Sequence, residues 1–66
     1  MQVTINNQPI TCPEGMGLGT LLEAERIQVD RTAIAVNGEV VPRASWADFR
    51  LSEGDDILII QATYGG

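Results

Sequence analysis

A chain of 66 residues buries only about 60% of the surface it exposes when unfolded, which allows one modest core and excludes a two-domain enzyme. Nine acidic residues against four basic ones give a net charge of -5, which opposes an electrostatic hold on nucleic acid or anionic lipid and favours a basic protein partner. All four cations are arginines; with no lysine, no histidine and one cysteine, the chain has no Schiff-base amine, no imidazole, no internal disulfide and no thiolate set for zinc or iron–sulfur. It does not read as an enzyme, and neither cofactor nor metal is expected. The longest apolar run, Ile57 to Ile60, falls far short of the ~20 residues that cross a bilayer. Met1 to Ile10 lacks the basic start and apolar stretch of an export signal, so a soluble, cytoplasmic chain is expected.

Met1, Val3 and Ile5 alternate with Gln2, Thr4 and Asn6, the period of a strand with one buried face. Asn6-Asn7 ends it in a tight turn, since asparagine tolerates left-handed backbone angles, and Ile10 and Cys12 resume the alternation. Pro9 has no N–H for a ladder, which places this second strand at a sheet edge. From Leu18 the period changes: Leu18, Leu21, Leu22 and Ile27 share one side of a short helix, with Glu23, Glu25 and Arg26 on the other. Gly15, Gly17 and Gly19 flank its start, and a glycine inside a helix costs ~1 kcal/mol against alanine, so a frayed first turn is expected.

Ala33 to Val36 and Glu39 to Val41 flank Asn37-Gly38, the strongest hairpin signal in the chain. Pro42 stops the second arm, and Ser45 is placed to cap a single turn through Asp48 that buries Trp46 and Phe49. Ser52-Glu53-Gly54-Asp55 reads as another turn, and Ile57-Leu58-Ile59-Ile60 as the strand that follows. Because both parities of this strand are apolar, it belongs in the middle of the sheet, covered on both faces or covered on one and contacted by a partner on the other. One helix across one face of a small mixed sheet of four or five strands, with the first and last strands as central neighbours, is the economical burial. That is an α+β, β-grasp (ubiquitin-like) arrangement, expected over residues 1–62, with 63–66 as a free tail.

The group whose position makes its chemistry unusual is the carboxylate of Gly66. Two glycines carry no side chains to obstruct a narrow cleft, and the last five residues reach about 17 Å when extended. A free carboxylate is an anion at neutral pH and a poor electrophile, so it must be activated first. ATP does this by forming an acyl-adenylate, from which a partner's sulfur nucleophile displaces AMP to leave a thiocarboxylate. The bland alternative is a terminus of no consequence.

The segment Ala35-Val36-Asn37-Gly38-Glu39-Val40-Val41-Pro42-Arg43 followed by Trp46, then Leu51-Ser52-Glu53-Gly54-Asp55-Asp56-Ile57, and finally Gly65-Gly66, resembles the ThiS family of thiamine-biosynthetic sulfur carriers along the whole chain. The resemblance implies that a ThiF-like (or MoeB-like) enzyme adenylates Gly66, that a cysteine-desulfurase relay supplies sulfur, and that the thiocarboxylate passes it to thiazole synthase, ThiG. It makes Gly66 the reacting terminus, and Thr63, Tyr64 and Gly65 the tail that enters partner clefts. Thr63-Tyr64 departs from the family's more usual small or aliphatic residues there. Other readings of the same pattern are a carrier for molybdopterin synthesis, a covalent protein modifier and a plain interaction domain.

Other features read structurally. Gly15 to Thr20 lacks the Gly-Lys-Ser/Thr ending of a phosphate loop. Cys12 shares parity with Ile10 and reads as a small buried hydrophobe. Asp55 and Asp56 point to opposite faces with no third ligand near in sequence. Arg43 is a candidate partner contact, with Trp46 closing the core, and Leu58 and Ile60 are candidate docking residues if they face away from the helix.

Overall fold

The computed structural model describes residues 1–61. The elements are β1 (Gln2–Ile5), β2 (Gln8–Thr11), helix α1 (Leu18–Ala24), β3 (Thr32–Val36), β4 (Glu39–Val41), a short 3₁₀ turn (Arg43–Ser45) and β5 (Asp56–Gln61). The strands form one sheet in the order β2-β1-β5-β3-β4. Only β1 and β5 run parallel, as the central neighbours the sequence predicts, and the other pairs are antiparallel. With α1 on one face, this is the β-grasp arrangement. The tail residues Thr63, Tyr64, Gly65 and Gly66 lie outside the described residues, as does the last residue of the expected 1–62 domain.

Local chemistry accounts for both hairpins. Asn6 and Asn7 hold φ of 49° and 70°, and Asn37 and Gly38 hold 53° and 85°, the paired positive angles of a type I′ turn. In the first hairpin the Cys12 amide donates to the Met1 carbonyl at 2.8 Å. Alternation along the ladder then turns the nitrogen of Pro9 toward the open edge of β2, where a missing N–H breaks no sheet bond.

The core lies between the sheet and α1. Leu18, Leu21 and Leu22 come from the helix, Val3, Ile5, Ile34, Val36, Val41 and Ile57 from the strands, and Cys12, Trp46 and Leu51 close its edges. Trp46 donates from Nε1 to the Val41 carbonyl at 2.8 Å, which satisfies its polar atom inside an apolar site.

Two local expectations are corrected. The first turn of α1 is tied down rather than frayed: Leu18 N donates to Phe49 O at 2.8 Å and Gly19 N to Trp46 O at 3.2 Å. Helix-start donors without a local cap here find acceptors about 30 residues away, which no propensity scale registers. The turn after β4 begins earlier than Ser45, at Arg43, and Ser45 lies inside it with no capping bond from its side chain. Pro42, with φ near -57°, is already set for a helical start, and its carbonyl accepts from Ser45 N at 2.8 Å.

The other end of α1 closes in a Schellman pattern. Ile27 N donates to Leu22 O at 3.0 Å while Arg26 takes φ of 56°, a conformation usually given to glycine. The turn before β5 is likewise self-bonded: Asp55 Oδ2 accepts from Ser52 N at 2.7 Å, and Gly54 takes φ of 82°.

Candidate docking face

β5 is the element that links the core to the tail. Its inward parity places Ile57 at 0% exposure with Ile59 packed beside the core, while the outward parity leaves Leu58 47% and Ile60 43% exposed. The strand is therefore covered on one face and bare on the other. β5 carries the backbone through the middle of the sheet to Gln61, the last described residue, which pairs with Thr32.

Register defines what accompanies Leu58 and Ile60. Leu58 faces Ala35, which in turn faces Val40 on β4, and Ile60 faces Ala33. Residues paired across a sheet project to the same side, so these five form one apolar surface. The alanines in the middle row are short, and the larger chains of Val40, Leu58 and Ile60 stand above them. Val40 is 65% exposed, the most of any large hydrophobic among the described residues. On the β1 side the surface ends in a polar pair, where Thr4 Oγ1 donates to Asp56 Oδ1 at 2.9 Å. An apolar field of this kind with a polar border is the usual form of a docking surface.

Val40 escaped the sequence reading. The signal was available: the Asn-Gly turn fixes the hairpin register, and two successive valines in a strand cannot both face the core.

Arg43 is not part of this surface. Its guanidinium lies 5.0 Å from the centre of the Trp46 ring and donates to the Val29 carbonyl, so it fastens the loop after α1 on the helix side. The remaining groups are occupied locally. Cys12 is buried, and Asp55 Oδ1 accepts from Asn37 Nδ2 at 2.9 Å. The helix-start amides of Leu18 and Gly19 already serve protein carbonyls, so they do not present an anion cradle. Among the described residues no group of three His, Cys, Asp or Glu side chains is placed to hold a metal ion, and no helix is long and apolar enough to cross a membrane.

Comparison with known proteins adds the missing context. A curated relative, the sulfur carrier protein ThiS of Escherichia coli (strain K12), is 36% identical over 66 residues and is covered completely, as is this chain. The crystal structure of the thiamine biosynthesis protein (ThiS) from Geobacter metallireducens superposes with a TM-score of 0.88 at 28% identity, covering 100% of both chains. The solution structure of a thiamine biosynthesis protein from the same organism superposes with a TM-score of 0.75 at 28% identity, covering 100% of this chain and 88% of that one. The model of the ThiS family matches residues 3–66, so the chain belongs to the ThiS family.

Proposed function

We propose that this chain is a sulfur carrier protein of thiamine biosynthesis, a protein cosubstrate rather than a catalyst. The observation that carries the reading is the full-length match to a protein named as such a carrier, running through the closing Gly65-Gly66. A carboxylate oxygen of Gly66 attacks the α-phosphorus of ATP on a ThiF-like enzyme, releasing pyrophosphate and forming the acyl-adenylate. A partner's persulfide, charged by a cysteine-desulfurase relay, then displaces AMP to form an acyl disulfide, and a thiol cleaves its S–S bond, freeing the thiocarboxylate and leaving the partner's sulfur and the thiol joined as a disulfide. Thiazole synthase, ThiG, takes the sulfur from it.

The chain's own contribution is positional. Thr63, Tyr64 and Gly65 are the segment that enters the partner's cleft, and glycine at 65 lets cleft walls close on bare backbone. The apolar surface of Val40, Leu58 and Ile60 is the grip, and two of its residues, Leu58 and Ile60, stand on the strand that leads to the tail. A partner that holds this surface positions the terminus without having to order the whole chain.

Genetic complementation tests the reading. Expression of the chain is expected to restore growth without added thiazole to cells lacking their own thiamine sulfur carrier. Rescue confined to cells lacking the small subunit of molybdopterin synthase would overturn it.

A further inference from the structure

We propose that Asn37 is a modification site, at which the side-chain amide is lost through a succinimide at a rate the fold restrains by bonding both ends of that amide to the start of β5. Asn37 is exposed and is followed by Gly38, whose bare Cα leaves its backbone nitrogen unshielded. In the reaction the Gly38 nitrogen attacks Asn37 Cγ. The new N–Cγ bond forms as the Cγ–Nδ2 bond breaks, and Nδ2 departs as ammonia with the proton from the Gly38 N–H. Water then opens the ring at either carbonyl, giving aspartate or isoaspartate.

The folded chain opposes this with three hydrogen bonds. Asn37 Nδ2 donates to Asp55 Oδ1 at 2.9 Å, Asn37 Oδ1 accepts from Asp56 N at 3.0 Å, and Asn37 N donates to Asp56 O at 2.8 Å. The orientation of the amide is unambiguous, because a backbone N–H only donates and a carboxylate only accepts. The side chain must leave both partners before its carbon is free to be attacked. One hydrogen bond of ordinary net strength lowers such an opened population about fivefold.

The product is incompatible with the latch. Aspartate at 37 has no donor for Asp55 and sets a second carboxylate against it, while isoaspartate adds a methylene to the backbone of a two-residue turn. Either form releases the Asn37-Gly38 turn from the segment that opens β5, while the β3–β5 ladder of Thr32–Val36 with Ile57–Gln61 remains.

The test follows the full-length folded chain in mildly alkaline buffer. Trypsin cleaves after Arg31 and Arg43, releasing a 32–43 peptide in which Asn37 is the sole asparagine, and liquid chromatography with mass spectrometry separates its aspartate and isoaspartate forms. Asp55→Ala is expected to convert about fivefold faster than wild type, whereas Asp55→Asn, whose single side-chain oxygen must stand in for the acceptors of both Asn37 Nδ2 and Ser52 N, falls between the two. Urea-unfolded wild type should react faster than either. If Asp55→Ala does not fold, the ratio of unfolded to folded wild-type rates decides alone. Equal rates in folded and unfolded chains, equal rates in Asp55→Ala and wild type, or no conversion of the peptide even in urea would overturn the proposal.

Discussion

Ile57→Ala is expected to unfold a large part of the population, while Leu58→Ala, one residue further along the same strand, should leave the fold nearly as stable as before. Ile57 is at 0% exposure at the centre of the core, where removing an isoleucine side chain costs about 2–5 kcal/mol. A chain of this length holds only about 3–10 kcal/mol in total. Leu58 is 47% exposed on the opposite face, and its truncation should cost below about 1 kcal/mol. Urea titration followed by circular dichroism measures both. Similar midpoints for the two variants would mean that the parity assigned to β5 is wrong.

The second expected result uses that exposed parity. In the double variant Leu58→Thr, Ile60→Thr the β-branched replacements keep strand propensity while removing most of the apolar surface. Interface anchors of this kind are each worth about 1–2 kcal/mol, so the KM for the chain as substrate of a ThiF-like adenylating enzyme should rise about a hundredfold. Pyrophosphate release at saturating carrier should change little, because the reacting terminus is untouched. An unchanged KM would remove this face from the activating encounter. A lost kcat at unchanged KM would place its role in the chemical step instead.

How far the sequence prescribes the molecule depends on the range of the interactions concerned. The Asn6-Asn7 and Asn37-Gly38 turns were legible because positive φ is a demand on single residues, and Asn, with Gly at 38, meets it at low cost. The central place of β5 was legible because apolar residues at both parities suit the middle of a sheet, although only the Ile57 parity is covered. Which parity meets the helix was not, since that follows from the pairing of Leu58 with Ala35 and of Ile59 with Ile34. Val40 joins the exposed apolar face through the same register. The ordered helix start depends on carbonyls of Trp46 and Phe49, remote in sequence from Leu18 and Gly19. Arginine gives no advance sign of the left-handed angles at positions 26 and 31, because nothing in its side chain favours them. Arg43 contacts Trp46 and the Val29 carbonyl, an anchoring of the loop after α1 that its residue type alone did not reveal. The terminus is the opposite case: the reading of Gly66 rests on the chemistry of a free carboxylate and on the family, and on no element of the fold.

Intact-protein mass spectrometry after incubation with an adenylating enzyme of the ThiF type, ATP and a sulfur donor bears most directly on that claim. The chain should gain the mass difference of one oxygen exchanged for sulfur, and fragmentation should place the change on Gly66. A variant ending before Gly65 should remain unmodified. An unchanged mass under conditions that convert an authentic carrier, or equal conversion of the shortened chain, would contradict the account.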